Sequence, residues 1–131
     1  MYQPKLQKTI HCPLDYGLNA ISGKWKPRIL CVLAEKKVLR YSTLRSEMAD
    51  ISDTVLSTAL KELISDNIIG RQQFDEIPLR VEYFLTVKGQ SVIPILQSIC
   101  HWAEAYRKDW SDSPLPHCEA CISNTEQEAA V

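Results

Sequence analysis

The sequence lacks any apolar run approaching the roughly 20 residues that a membrane-spanning helix needs. Its first residues, MYQPKLQKTIHCP, also lack the apolar stretch of a secretory signal peptide. A chain of 131 residues, 45% of them hydrophobic and 24% charged, has the length and composition of one folded domain with one core. We therefore expect a water-soluble, cytoplasmic protein.

Common catalytic patterns are also missing. The sequence offers no Ser/His/Asp set, no paired carboxylates, no Gly-rich phosphate loop and no complete metal site. Five cysteines, an odd number in a chain without a secretion signal, indicate reduced thiols rather than a disulfide scaffold. We expect neither an enzyme nor a bound cofactor.

Cys118 and Cys121 form a C-x-x-C pair beside His117, which is half of many zinc sites. The sequence has no second pair, so we expect no metal. A thiol oxidoreductase is the enzyme alternative, but its C-x-x-C belongs at a strand-to-helix junction, whereas this pair follows the last predicted helix. A spare redox pair, or a partner thiol for Cys12, stays open.

Charge is distributed unevenly along the chain. The formal net charge is -1, yet the segment from Lys24 to Arg45 holds seven basic residues and one acid, a local charge of +6. From Asp109 onward, five acids occur without a Lys or Arg. Because net charge hides where charges lie, a value near zero does not exclude nucleic acid as a partner.

Two helices are predicted in the first part of the chain. Pro13 suits the first position of a helix and Cys12 suits its N-cap, while Gly23 ends that helix. Pro27 opens a second helix, which extends to about Glu35.

A helix-turn-helix pattern follows. After a very short strand at 39–41, Ser42 is the expected N-cap of a helix that extends to about Met48. Asp50 is expected to reverse the chain, and Ser52 to cap the next helix within ISDTVLSTALKELISDN. The apolar positions of that helix follow a 3.6-residue period: Val55, Leu56, Ala59, Leu60, Leu63 and Ile64.

The C-terminal part predicts a hairpin and a long helix. The pattern changes after Ile68 and predicts strands over 69–74 and 80–85 around a turn, with Val81, Tyr83 and Leu85 alternating in the second strand. Thr86 is expected to cap a helix that extends to about Trp110, with a kink at Pro94. The order predicts a mainly α winged helix-turn-helix with a small β-hairpin and one helix added at each end.

These elements set the predicted domain limits. Residues 1–11 form a flexible arm, residues 12–110 the folded domain, and residues 111–131 a poorly ordered acidic tail.

The last helix carries apolar residues spaced 4, 3, 4, 3 and 4 apart, like the seam of a coiled coil. They are Val92, Leu96, Ile99, Ala103, Tyr106 and Trp110. Packing against the chain's own core would explain the seam equally well for one helix, but its length and the flanking Trp102 favour a homodimer. The predicted interface residues are Leu14, Leu18, Leu96, Ile99, Trp102, Ala103 and Tyr106.

The fourth helix carries Thr54, Ser57 and Thr58 on one face, where Lys, Glu or Gln are more usual because they favour helix. In a helix-turn-helix, this helix would lie in the major groove and contact base edges through its first turns. Exposed Ser and Thr are also common on solvated surfaces. The preceding turn, the following hairpin and the +6 segment favour contact with DNA.

Cations are expected around that helix. Lys61 would face phosphate, and Arg71 and Arg80 would bring positive charge to the base of the wing, whereas Asp75 and Glu76 oppose deep insertion of its tip. The predicted DNA contacts are Ser42, Arg45, Ser52, Asp53, Thr54, Ser57, Thr58, Lys61, Arg71 and Arg80.

The chain resembles the HxlR-type family of bacterial transcriptional regulators, relatives of MarR-type winged helices, across about residues 12–107. Six blocks carry the resemblance: Cys12-Pro13, GKWKPRIL, RYSTLR, IS followed by LSTALKELISDNII, PLRVEYFLT with Gly89, and CHWAEAY. The resemblance implies a homodimer held by its first and last helices on a pseudo-palindromic operator in double-stranded DNA, with recognition helices about 34 Å apart. Asp53 and Thr54 depart from the Gln or Lys frequent in the family, so the operator sequence does not transfer.

Cys12 is the cysteine with an expected role. An N-cap sulfur near free backbone N–H groups and the helix dipole favours thiolate, and Asp15 in the first turn opposes it. The resemblance implies a sensor of oxidants or electrophiles at this position; a plain helix-start cysteine is the alternative. Cys31 and Cys100 are expected to act as small core residues.

Two functions from different classes therefore compete. One is a DNA-binding regulator that responds to modification of Cys12. The other is a winged-helix module for protein contacts, which would bind no operator and show little dependence on salt.

Overall fold

The computed structural model describes residues 10–106, which form five helices and three strands. In chain order these are α1 (Pro13–Ile21), α2 (Lys26–Lys36), β1 (Val38–Arg40), α3 (Tyr41–Met48), α4 (Asp53–Ser65), β2 (Ile69–Phe74), β3 (Arg80–Leu85) and α5 (Val87–Tyr106). This order confirms the predicted winged helix-turn-helix. The arm and the acidic tail lie largely or wholly outside the described residues.

The hairpin belongs to a three-stranded antiparallel sheet in the order β1-β3-β2. β1 pairs Leu39 with Tyr83, and β2 pairs Arg71 with the same residue. The sequence pattern predicted the two hairpin strands with their observed limits. It could not show that the short β1 joins them, because pairing between distant strands depends on the whole fold.

One apolar core joins the helices to the sheet. Its largest fully buried side chains come from α2, α3, α4 and the start of β2, and they include Ile29, Leu30, Leu33, Leu44, Leu56, Leu63, Ile68 and Ile69. Each of these side chains contributes about 1.5 to 3 kcal/mol through burial. The core therefore fixes the orientation of α4 relative to the other helices and the sheet.

Two predicted helix ends are wrong in detail. Arg40, not Ser42, is the N-cap of α3, which begins at Tyr41. Chain reversal after α3 places Ala49, not Asp50, at a positive φ of 61°. Asp adopts a positive φ more often than Ala does, so the sequence favoured Asp50. The surrounding fold therefore imposes this conformation on Ala49.

The predicted caps of α4 and α5 are confirmed. Ser52 Oγ accepts a hydrogen bond from the Val55 N–H at 3.2 Å, which fixes the start of α4. Thr86 Oγ1 accepts from the Gly89 N–H at 3.1 Å and donates to the Asn67 carbonyl at 2.7 Å. Thr86 thus joins the start of α5 to the turn after α4.

Gly89 is required where α5 crosses the chain. A Cβ at this position would overlap the carbonyl oxygen of Ile68. The missing side chain lets α5 pack close to the turn between α4 and β2.

Candidate nucleic-acid interface

The outward face of α4 is polar. Thr54, Thr58 and Lys61 are exposed and lie on the side of the helix opposite the buried Leu56 and Leu60. We call Thr54, Thr58 and Lys61 the reading face. Burial of the opposite side of α4 keeps these three side chains at the surface. A partner molecule can reach them there.

Two other predicted positions on α4 differ from this face. Ser57 is half-buried, and its Oγ lies 3.4 Å from the Tyr41 hydroxyl on α3. Val55 was expected to be an inward-facing position, yet 40% of it is exposed. The first two turns of α4 therefore present two hydroxyls outward and turn the third toward α3.

Asp53 does not project freely from the start of α4. Its Oδ1 accepts a hydrogen bond from the Tyr41 hydroxyl at 2.9 Å and lies 3.1 Å from Arg45 Nε. The Arg45 and Asp53 side chains are 50% and 65% exposed, so water still reaches the pair. The Asp53 carboxylate at the candidate interface is therefore already paired with the Arg45 guanidinium.

Sequence reasoning missed Tyr41 as part of this site. Its position in the first turn of α3, twelve residues before Asp53, carried no signal that the two would meet. The one available signal was the acid itself, because a carboxylate in the first turn of a helix that faces phosphate is unfavourable without a nearby cation. Ser42 and Ser52 are exposed beside these groups.

A second ion pair holds the other side of α4. Lys26 Nζ at the start of α2 lies 2.6 Å from Glu62 Oε2, and the two side chains are only 12% and 15% exposed. The pair fixes α2 against α4 one turn after Thr58. Lys26 belongs to the +6 segment, and nothing in the sequence indicates Glu62 as its partner.

The wing contains one exposed cation and one engaged cation. Arg71 is exposed, with its Nη2 3.4 Å from Gln73 Oε1. Arg80, in contrast, stacks 3.9 Å from the centre of the Phe74 ring and forms ion pairs with Glu76 at 3.0 Å and Glu82 at 3.9 Å.

These contacts correct the expectation for Arg80, because its guanidinium braces the two strands of the wing rather than standing free. The tip of the wing is apolar in part. Ile77 is fully exposed there, next to the acids at Asp75 and Glu76.

Cys12 occupies the predicted N-cap of α1 and is exposed. Its sulfur makes no capping hydrogen bond, so the expected contact with backbone N–H groups is wrong. The carboxylate of Asp15 accepts from the His11 N–H at 3.1 Å instead. Cys31 and Cys100 are partly buried, and Cys118 and Cys121 lie outside the described residues.

Large apolar side chains are exposed on α1 and α5. Leu18 is 49% exposed, Ile99 50% and Trp102 67%, and Leu14 and Tyr106 are also exposed. The rings of Trp102 and Tyr106 lie in contact with their centroids 5.7 Å apart and their planes tilted by 44°. Leu96 corrects the predicted interface, because it is 5% exposed and packs in the protomer's own core.

Ala103 is partly buried on the same helix. Across residues 10–106, no cluster of three His, Cys, Asp or Glu side chains could hold a metal ion. Over the same residues, no helix is both long enough and apolar enough to cross a bilayer.

Known proteins resemble this chain in sequence and in fold. The family model of an HxlR-like helix-turn-helix matches residues 20–111. An uncharacterized HTH-type transcriptional regulator of Methanothermobacter thermautotrophicus is 43% identical over 95 residues, which are 72% of each protein.

Two solved structures have the same fold. The redox regulator HypR in its oxidized form is 31% identical with a TM-score of 0.68, over 74% of this chain and 99% of HypR. The reduced form of the transcriptional regulator YodB from Bacillus subtilis is 26% identical with a TM-score of 0.63, over 76% of this chain and 97% of YodB. The chain therefore belongs to the HxlR-like helix-turn-helix family and is a transcriptional regulator with a helix-turn-helix DNA-binding fold.

Proposed function

We propose that this regulator binds a pseudo-palindromic operator in double-stranded DNA as a homodimer, with α4 of each protomer in a major groove. The observation that carries the proposal is the reading face, because two hydroxyls and a cation stand outward from a helix whose other side is buried. Threonine hydroxyls both donate and accept hydrogen bonds, and their short side chains let the helix approach the bases.

Local charge supports the same arrangement. Asp53 and Glu62, the acids on either side of the reading face, are paired with Arg45 and Lys26. Lys61 lies one turn after Ser57 and Thr58 and is exposed. Phosphates flanking α4 would therefore meet cations and neutralised acids instead of uncompensated negative charge.

The exposed apolar side chains of α1 and α5 support a second copy as the partner. Leu18, Ile99 and Trp102 are too exposed to belong to the protomer core, and apolar patches of this kind mark protein contacts. A two-fold dimer would place two reading faces toward successive major grooves, about 34 Å apart. Light scattering at operator-binding concentrations should give twice the protomer mass.

The reading face can be tested on DNA selected from a random pool by the wild-type protein. Replacing Thr54 and Thr58 by Val keeps their shape and removes both hydroxyls. We expect affinity for the selected operator to fall at least about 30-fold per protomer, because two base contacts are lost and each costs about 1 to 3 kcal/mol. Fluorescence anisotropy titration measures the loss.

The matched control is Ser65→Ala, an exposed hydroxyl at the far end of α4. It should leave operator affinity unchanged. If wild-type protein selects no DNA and its affinity does not depend on salt, a protein-contact module would replace this proposal.

We also propose that Cys12 makes the regulator responsive to electrophiles or oxidants. The thiol is exposed at the start of α1. HypR, which is a redox regulator, and YodB both share the fold of this chain. With a quinone, Cys12 Sγ would add to a ring carbon as the S–H bond and the ring C=C π bond break. The thiol proton goes to one quinone oxygen and the hydrogen of the attacked carbon moves to the other, which leaves a hydroquinone thioether on Cys12. No further reactant is needed.

Contacts from α1 offer a route to α4. Tyr16, one turn after Cys12, accepts a hydrogen bond on its hydroxyl from Lys88 Nζ at 2.8 Å. The same Nζ donates to the carbonyl of Asp66, the C-cap of α4, at 2.8 Å. A shift of α1 would therefore pull on the far end of the proposed recognition helix.

Operator affinity with and without 1,4-benzoquinone tests this switch. Cys12→Ser should bind like the untreated parent and should ignore the quinone, whereas Cys100→Ala should keep the parent's response. Equal responses of Cys12→Ser and the parent would remove Cys12 from the mechanism while leaving the DNA-binding proposal intact.

A further inference from the structure

A basic and aromatic cluster precedes α2. Trp25 is the N-cap of this helix and is half-buried. Lys24 Nζ lies 4.7 Å from the centre of its ring, and the Arg28 guanidinium carbon lies 5.4 Å away. One indole therefore gathers two exposed cations, each at a distance typical of cation–π contacts.

This cluster lies beside the reading face. A groove of about 300 Å³ separates the loop at residues 22–25 from α4, and its walls include Trp25 on one side and Thr54 and Thr58 on the other. The acid in the lining, Glu62, is paired with Lys26. That pair fixes the loop to α4, so the cluster keeps a constant position relative to the two threonines.

The widths of the helix and of the major groove determine which part of the DNA would contact the cluster. An α-helix with its side chains is about 10 to 12 Å across, and the major groove is about 12 Å wide. A helix seated in the groove therefore brings its neighbouring elements against the phosphates of the two bordering strands. On one side of α4 these neighbours are Tyr41 and Arg45. On the other side they are Lys24 and Trp25, and the Trp25 ring carries Arg28.

The two sides differ in available charge. Arg45 is paired with Asp53, whereas Lys24 and Arg28 contact the Trp25 ring and occur in none of the ion pairs formed among residues 10–106. A cation over an aromatic ring keeps its full charge and loses side-chain freedom before a partner arrives. Prior ordering of this kind lowers the entropic cost of binding.

We propose that Trp25 is a platform which holds Lys24 and Arg28 as a phosphate clamp on the DNA strand bordering α4 on the side of α2. This inference rests on the proposed DNA binding and adds a contact outside the helix-turn-helix and the wing. The clamp binds backbone phosphates, so it strengthens all DNA binding and fixes the position of α4 without selecting bases.

The salt dependence of the DNA-binding constant measures the contribution of the clamp. The logarithm of the binding constant falls with the logarithm of salt concentration by about 0.9 for each phosphate contact, so Lys24→Gln with Arg28→Gln should reduce the slope by about 1.8 per protomer on the DNA. The fall in affinity between 50 and 200 mM salt should then be about tenfold smaller per protomer than for the parent. Affinities for the operator and for a scrambled duplex should drop by the same factor.

The matched control changes two cations at the opposite end of α2. Lys36→Gln with Lys37→Gln removes the same charge from exposed positions, and its salt slope should equal the parent's. Trp25→Leu keeps both cations and removes the platform, so it should lower affinity with a smaller change of slope. Thermal unfolding followed by circular dichroism identifies any variant that fails to fold.

The outcomes separate the two proposals. A parent that binds no DNA removes the proposed function itself. A parent that binds operator, with an unchanged slope in the Lys24 and Arg28 variant, overturns the clamp alone. An equal decrease of slope in the Lys36 and Lys37 control would also overturn it, since the effect would then reflect net charge.

Discussion

Two ion pairs hold α4 on opposite sides, and they differ in exposure. Lys26 and Glu62 are 12% and 15% exposed, whereas Arg45 and Asp53 are 50% and 65% exposed. A buried pair keeps its geometry because separating it leaves a charge out of water, while an exposed pair exchanges readily with solvent or another ion. The first pair therefore fixes where α4 lies, and the second regulates how much charge α4 presents to a partner.

Breaking the buried pair should have the largest effect. Lys26→Met leaves Glu62 without its cation in a site that is mostly closed to water, and we expect the free energy of unfolding to fall by about 3 kcal/mol. Urea titration measures the change. Adding Glu62→Leu should restore most of the loss, because a matched apolar pair replaces the ionic one; a double variant as unstable as Lys26→Met would contradict the assignment.

Changing the exposed pair should affect DNA more than stability. Asp53→Asn frees Arg45 for a phosphate, so we expect affinity for scrambled DNA to rise about fivefold per protomer at 0.15 M salt, with a salt slope steeper by about 0.9 per protomer. Unfolding free energy should change by less than about 1 kcal/mol.

Asp66→Asn, about 20 Å away at the other end of α4, serves as the control and should leave the slope unchanged. If Asp53→Asn instead destabilises the protein as strongly as Lys26→Met, the contrast between the two pairs fails.

Tyr41→Phe should have the smallest effect. It removes the hydroxyl that holds Asp53 and lies near Ser57, but it leaves Arg45 in place. We expect a loss of about 0.5 to 1 kcal/mol in unfolding free energy, and a gain in non-specific DNA affinity below that of Asp53→Asn. A gain equal to that of Asp53→Asn would mean that Tyr41, and not Arg45, controls the acid.

Local sequence signals predicted the elements well. Ser52 and Thr86 act as expected caps because capping depends on a few neighbouring residues. Both hairpin strands have their predicted limits, because the turn residues between them and the alternation of Val81, Tyr83 and Leu85 are visible along the chain. The family blocks also identified the fold, which the comparisons confirm.

Contacts between distant residues could not be predicted in this way. Arg80 looked like a free cation until the hairpin brought Phe74, Glu76 and Glu82 around it. Leu96 shares the spacing of the exposed Ile99, but only the crossing of α5 over the core shows which of the two is buried. The partners of Asp53 and Glu62 likewise depend on how α2, α3 and α4 pack.

The two exposed surfaces also differ in polarity, which bears on the partner proposed for each. The threonines on α4 and the leucine, isoleucine and tryptophan on α1 and α5 are all exposed, but the apolar second set gains more free energy by leaving water. This difference supports the proposal that the first surface binds DNA and the second binds another copy of the chain.

Methylation protection of guanine N7 on the selected operator tests the central claim most directly, because this atom lies in the major groove. The account predicts two protected patches about 10 to 10.5 base pairs apart, and weaker protection when Thr54 and Thr58 are both replaced by Val. Bound DNA with every guanine N7 still reactive, despite suitably placed guanines, would contradict the placement of α4 in the major groove.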